Sequence, residues 1–564
     1  MRFILSLIFV PLTFFAQDYP KDYFRRPLDI PLQLAGNFGE LRNNHFHAGF
    51  DFRTQQKEGF NVYAAADGYV SRIKYSAYGY GKAIYITHPN GYTTLYGHLQ
   101  NAVGPIAQYI KDYQYKNQVS EFDYFPKPEE LPIKKGQVIA LSGNTGGSEG
   151  PHLHFEFRDS KTEKIINPYY FGFIDELPDA KKPVITSLMV YPIDENSVAN
   201  KSAQPTMLDL KKLADGSYLA EKVSAKGRIG FGIAGYDSDS NTNNPNGIYQ
   251  VNSFLNGNPS FGYTFSTFHF DETRYVNALI DYPRYKSTSQ RIQKLFMKNK
   301  YDFSLIRTDA NNGIVSVEPN VANVYRVEAS DFNGNKSTIS IPIEYSDAAP
   351  ITPAAINKTP YFLDVDKDHR YEQGDYSFEI PAGTFYEDFY LDFDLEGSFL
   401  NIKNKNIPVH SAFTIAKKDT SVPADDREKT FIATFTGASD KPSFNFTWYK
   451  DGAFQTKVKA LGKFGLAKDT MAPKISVPKN VSGKWISKQR YLTVYMRDDL
   501  SGIKKYDAYL NGKWILMEYD YKKARLTHDF NDGVVANGRN ELKVVVTDNV
   551  GNSAIFETYF FRNQ

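Results

Sequence analysis

The chain has 564 residues, 23% of them charged, and a formal net charge of +2. That length exceeds what one hydrophobic core serves and predicts three or four domains. The near-neutral balance, without a basic block, gives no electrostatic case for nucleic acid. The absence of cysteine excludes disulfides and thiolate ligands, so a zinc site could use only His, Asp or Glu.

Aromatic residues make up 15% of the chain, with 40 Tyr and 42 Phe, which favours β structure. Residues 1–16 read as a secretory signal: Arg2 is the positive region, Phe3 to Phe15 the apolar run, and Ala16 the cleavage point before Gln17. The run is short for a membrane span. Export to the periplasm, or to the cell envelope and surface, is the expectation.

Residues 17–176 are expected to form the first unit. It is dense in glycine and in short alternating strands such as Lys82-Ala-Ile-Tyr-Ile-Thr87 and Gln137-Val-Ile-Ala-Leu141. Between Asn101 and Leu131 a polar, Tyr-rich insertion reads as a long surface excursion. Leu177-Pro-Asp-Ala-Lys-Lys-Pro183 reads as a linker.

Three further β units are expected at residues 183–346, 352–468 and 472–564, with breaks at Asp347-Ala-Ala-Pro-Ile-Thr-Pro353 and Asp469-Thr-Met-Ala-Pro473. The first and last share a pattern. Gly247-Ile248 precedes Leu255-Asn-Gly257 at the spacing that separates Gly502-Ile503 from Leu510-Asn-Gly512. Each unit then reaches an Asp-x-x-Gly-Asn turn, Asp331 to Asn335 and Asp548 to Asn552. Asn-Gly between alternating strands signals a hairpin. Both are expected to be β-sandwiches of one, Ig-like, type. Asp237-Ser-Asp-Ser-Asn241 reads as a solvated loop, with calcium binding the alternative. Asp364-Val-Asp-Lys-Asp368 resembles the start of a calcium loop but has His369 where glycine is needed and no closing Glu.

The chemistry concentrates early, since six of the ten histidines precede Phe155. His152 and His154 are two apart; on a strand they share a face, about 6.6 Å from each other, with Leu153 and Phe155 on the core side. His47 and Asp51 would lie about 13 Å apart on a straight strand, too far to share an ion. Gly49 between them permits a bend or bulge that brings the two together. His98 ends the alternating run from Tyr92 to Tyr96. Five such groups can supply three zinc ligands, leaving a fourth position for water, with two imidazoles left for proton transfer. His45 reads as a supporting or surface residue, and His88, before Pro89-Asn90-Gly91, as structural.

About residues 35 to 170 resemble the lysostaphin-type (LytM-like) zinc endopeptidases, which act on peptidoglycan. The resemblance rests on Phe46-His-Ala-Gly-Phe-Asp51, Ala65-Ala-Asp-Gly68, Gly81-Lys-Ala-Ile-Tyr-Ile-Thr-His88, Tyr96-Gly-His-Leu99, Lys135-Gly-Gln-Val-Ile139, Ser142-Gly-Asn-Thr-Gly146 and Gly150-Pro-His-Leu-His154. It implies a mostly β fold: an antiparallel-sheet metallopeptidase domain ahead of two or three Ig-like β-sandwich domains. It implies Zn2+ on His47, Asp51 and His154, and catalytic roles for His98 and His152. Peptidoglycan peptides are the implied substrate, and the C-terminal domains are candidates for binding envelope proteins. The insertion after His98 departs from the compact family pattern and is expected to reshape or cover the substrate groove. Two rival functions are a non-catalytic activator or scaffold for other wall hydrolases and a surface adhesive protein led by its sandwiches. An activator of this type should lack at least one of the five positions, and this chain has all five.

Overall fold

The computed structural model describes residues 18–353, 357–437 and 439–563. The expected signal segment, residues 1–16, lies outside the described residues. The rest is predominantly strand, arranged as an N-terminal sheet unit followed by three β units.

The first unit is built on one antiparallel sheet. Its strands run, in spatial order, Leu34–Gly36, Phe50–Arg53, His152–Asp159, Tyr92–Gly97, Lys82–Thr87, Gly68–Tyr75 and Phe122–Tyr124. A smaller sheet joins Asn61–Tyr63, Val138–Leu141 and Asn101–Ala102. Alternation sets the inside face. Leu153, Phe155 and Phe157 are fully buried and pack with Phe50, Phe52, Tyr96 and Phe171. The intervening positions 152, 154 and 156 face the other way, as the period of two requires.

The insertion after His98 is not an irregular excursion. It folds into a helix, Gly104–Asn117, and a strand, Phe122–Tyr124, that extends the main sheet. Pro105 sits at the start of the helix, where its missing N–H costs nothing. Ile106, Ile110 and Gln114 recur every four residues and form the buried face. Gln118 closes it in the left-handed conformation.

The predicted linker at 177–183 joins units that share a core rather than separate bodies. Ile165–Ile166 pairs on one side with His152–Asp159 and on the other with Thr267–Phe268 of the second unit. Phe46 stacks on Phe303 at 5.2 Å, and Phe38 meets Phe268 at 5.0 Å.

The repeat between the second and last units is structural. In the second, strands Asn258–Thr264, Gln250–Leu255, Asn323–Ser330 and Lys336–Tyr345 lie in that order. In the last, Lys513–Trp514, Ile503–Leu510, Gly538–Asp548 and Ser553–Arg562 reproduce it. The last unit adds a second four-stranded sheet, with a core of Leu492, Val494, Leu526, Val544 and Phe560 between the two. The middle unit has two five-stranded sheets around Phe378, Ile415, Ile432 and Phe454.

The last unit folds back onto the first, and the insertion is its landing surface. Tyr115 and Lys111 reach Asp532, Ser120 bonds Tyr506 at 2.9 Å, and Lys82 pairs with Glu518 at 2.8 Å.

Candidate metal centre

Three neighbouring strands bring the site together. His154 pairs in register with Asp51 on one side and with Gly97 on the other. His98 follows Gly97 in a left-handed conformation, φ 56°, which turns the chain out of the strand. His47 precedes strand Phe50–Arg53, and Gly49 makes its approach feasible. A Cβ at Gly49 would stand 2.3 Å from the Phe155 carbonyl oxygen. The glycine is needed here for close packing on the neighbouring strand.

His47, Asp51 and His154 converge. His47 Nε2 and His154 Nδ1 lie 3.1 Å apart, and Asp51 Oδ1 is 3.1 Å from the first and 2.8 Å from the second. All three residues are buried. The other ring nitrogens are committed: His47 Nδ1–H donates to the Asn37 carbonyl at 2.7 Å, and His154 Nε2–H to Glu156 Oε1 at 2.8 Å. His47 Nε2 and His154 Nδ1 are the nitrogens left at the convergence point to face a metal, their ring orientations fixed from behind.

His98 and His152 flank this trio, their rings 4.7 Å apart. His98 Nδ1–H donates to the Thr145 carbonyl and His152 Nδ1–H to the Gly150 carbonyl, both at 2.8 Å. His152 Nε2 is buried without a hydrogen-bond partner, 3.3 Å from Asp51 Oδ1. The structure therefore brings together all five sequence-identified residues. His45 is exposed at the rim, and His88 is a buried structural residue bonded to Asp67 and Thr94.

Burial holds the His47 imidazole down at about 4 and that of His98 at about 3, the latter helped by His152 and His154. Burial works against His154 too, but its bonds to Asp51 and Glu156 win and push it up to about 9. Burial would raise Asp51, yet the surrounding histidines hold it well below the carboxylate range.

Sequence reasoning missed the supporting groups. Glu156 is wholly buried, bonded to His154, to the Tyr80 hydroxyl and to Arg158 Nε at 2.8 Å. Arg42 Nη2 holds the second oxygen of Asp51 at 2.5 Å and Glu40 at 3.1 Å. Continuing the period of two from His152 and His154 would have found Glu156 and Arg158; nothing in the sequence marks Arg42 or Tyr80.

The site opens into a cleft of about 1470 Å3. Arg42, Tyr80 and the loop from Gly147 to Pro151 line it from the first unit, and Phe270, Thr273 and Arg291 from the second. No insertion residue between Asn101 and Leu131 is part of that lining, so the expectation that the insertion reshapes or covers the groove is corrected. Its contacts are to the last unit instead. That unit does reach the cleft edge: the Lys522 ammonium donates to the carbonyls of Asn144, at 2.8 Å, and Ser148. Tyr521 packs on Tyr78 at 4.6 Å.

The donor set, two imidazoles and a carboxylate within 4.8 Å of one another, suits a first-row metal ion. The buried, unpartnered Nε2 of His152 beside it is the polar atom such a site leaves for a bound water.

The sequence profile of Peptidase family M23 matches residues 45–168, and that of the Zu5-like domain matches residues 360–469. An uncharacterized metalloprotease of Haemophilus influenzae is 34% identical over 154 residues, covering 26% of this chain and 27% of its own. The peptidoglycan DD-endopeptidase ShyC of Vibrio cholerae is 30% identical over 143 residues, covering 24% and 27%. The solved catalytic domain of lysostaphin from Staphylococcus simulans is 24% identical with a TM-score of 0.18, covering 24% of this chain and 87% of that one. The chain thus spans about a quarter of the length of the curated relatives it matches. Residues 45–168 are thus similar to peptidase family M23.

Proposed function

We propose that the chain is an exported zinc endopeptidase that hydrolyses peptide cross-links of peptidoglycan. The observation that carries this reading is the convergence of His47, Asp51 and His154 with two further imidazoles at one end of an open cleft. A regulator that had lost catalysis would not need all five groups with every second ring nitrogen anchored.

His47, Asp51 and His154 would hold the zinc ion. When bound, it supplies Lewis-acid polarisation of a carbonyl and lowers the pKa of its water toward about 7. Arg42 keeps Asp51 Oδ2 occupied, so that Oδ1 faces the ion position. Glu156, tied to Arg158, fixes the ring of His154. His98 is a neutral imidazole whose Nε2 faces the cleft, placed to accept a proton and return it to the leaving amine. His152 Nε2, a lone pair without a partner, is placed to take up a proton and then, as Nε2–H, to donate to the oxyanion that forms on the attacked carbonyl. Phe270, over half exposed at the cleft wall, offers an apolar surface to the substrate. The β units would place the catalytic unit on the wall or on envelope proteins.

The test is digestion of purified sacculi by the mature chain holding one equivalent of zinc. Soluble fragments with cleaved peptide bridges support the proposal. Release of intact glycan-linked dimers, or nothing, contradicts it.

A further inference from the structure

Away from the metal centre, the second unit holds carboxylates that lack a charge partner. Asp179, Asp237 and Asp331 each place an oxygen within 4.8 Å of the others. Asp237 is 7% exposed and Asp331 4%, while Asp239, two residues on, is 6%. The expectation of a solvated loop at 237–241 holds for Ser240 and Asn241, which are exposed, and is corrected at Asp237 and Asp239, which are buried. Among the described residues, none of these four carboxylates forms an ion pair. The Lys181 ammonium instead donates to the main-chain carbonyls of Asp239 and Thr242, both at 2.9 Å.

Hydrogen bonds satisfy two members of the group. Asp331 accepts from the Asn335 amide at 2.8 Å and from its side chain at 2.6 Å. Asp179 Oδ1 accepts from the Lys181 amide at 3.0 Å and the Ser240 hydroxyl at 3.1 Å. Asp237 Oδ1 is different: it is buried in the group and has no hydrogen-bond partner. A buried carboxylate oxygen facing other carboxylates is strongly unfavourable unless it is protonated or meets a cation. Burial, with Asp331 and Asp179 alongside, pushes the Asp237 carboxyl up to about 8.

The last unit supplies an internal comparison. Asp469, Asp498 and Asp548 hold the corresponding places and also converge within 4.8 Å. Asn552 Nδ2 reaches the Asp469 carbonyl at 3.1 Å, as Asn335 Nδ2 reaches that of Asp179 at 3.2 Å. In that unit, however, amides fill the gaps. Asp469 accepts from Met471 and Ser501, both at 3.1 Å, and Asp498 Oδ2 from Leu500 and Gly502. The framework is common, but only the second unit leaves an Asp237-like oxygen open.

We propose that Asp179, Asp237 and Asp331 bind a calcium ion. The donors are all hard oxygens, which disfavours zinc. They come from a linker, a strand end and a turn, an irregular arrangement that suits the flexible six- to eight-fold coordination of calcium better than the octahedron of magnesium. The ion ties the linker to the segment from Asp237 to Gly247. That segment grips the first unit: Asn244 Nδ2 donates to the Ala35 carbonyl at 3.0 Å, and Gly247 exchanges two bonds with the Asn37 side chain at 2.8 and 2.9 Å. Asn37 in turn accepts the proton of His47.

The test uses the full mature chain, its histidine site filled with one equivalent of zinc and other metals removed. Calorimetric titration with calcium chloride should show one ion per chain, with Kd at about 10⁻⁴ M or tighter. At tenfold Kd the unfolding transition of the first two units should rise by about 2 °C, and magnesium at equal concentration should give far less. Asp237→Asn should abolish the calcium response while its calcium-free form melts no lower than the wild type, because a buried repulsion is gone. Asp179→Asn, at a partly exposed linker position, reads the same property should the first variant fold poorly. Asp498→Asn should keep the response. No calcium binding by the wild type, an equal response to magnesium, or an undiminished response in both Asp237→Asn and Asp179→Asn would each overturn the assignment.

Discussion

His154 and Glu156 stand two residues apart on one strand, and the Nε2 proton of His154 is donated to Glu156 Oε1 at 2.8 Å. The carboxylate fixes which nitrogen of His154 faces the metal position. Glu156→Gln keeps an acceptor of the same shape but loses the charge, and zinc affinity should fall about 10–100-fold. Competition with a chelator measures this. Glu156→Ala should also destabilise the fold, by about 3–5 kcal/mol, because it leaves the buried Arg158 guanidinium without its principal partner.

The two groups of histidines should separate experimentally. His154→Ala should lose both zinc and turnover. His152→Ala and His98→Ala should retain one zinc per chain and lose about 10²–10⁴ in kcat. Metal analysis alongside steady-state kinetics checks both. A fully active His152→Ala protein would show that the role given to it is wrong.

Lys522 of the last unit holds the carbonyls of Asn144 and Ser148, and the same loop anchors His98 through Thr145 and His152 through Ser148 Oγ. Lys522→Ala should lower kcat several-fold while zinc content stays unchanged. An unchanged kcat would mean that the docked unit does not position the catalytic loop.

Acid should loosen the contact between the second and middle units. Burial would raise Glu387, but Lys294 at 2.6 Å and Lys298 hold it below the ordinary glutamate value. Burial, then Arg274, lowers His410, which stacks on Tyr275 at 4.9 Å. Both folded-state values are depressed, so each contribution is present above the unfolded value and is lost as pH falls through the folded one. Scanning calorimetry should show the coupling of the two units weakening below about pH 6.5 and again below about pH 4.5. His410→Gln should remove the first phase and Glu387→Gln the second.

That these five side chains could meet was legible because strand periodicity and spacing act locally. His152 and His154 had to share a face, and Gly49 marked the place where His47 and Asp51 approach each other beside the neighbouring strand. The strand order shared by the second and last units was legible for the same reason, through the Asn-Gly hairpins and the Asp-x-x-Gly-Asn turns. What escaped is long-range. Nothing near Phe46 announces that it stacks on Phe303, and nothing in the linker announces a common core. The helix at Gly104–Asn117 was legible in Ile106, Ile110 and Gln114, but its polar, Tyr-rich surroundings masked that pattern. The burial of Asp237 depends on Asp179 and Asp331, distant in sequence.

The most direct test of the central claim is mass analysis of products from a defined peptide-cross-linked muropeptide dimer, incubated with the zinc-loaded chain. Conversion to monomers with one water added at the bridging peptide bond, abolished in His154→Ala, is the expected result. A wild-type protein that holds its zinc and leaves the dimer intact would contradict it.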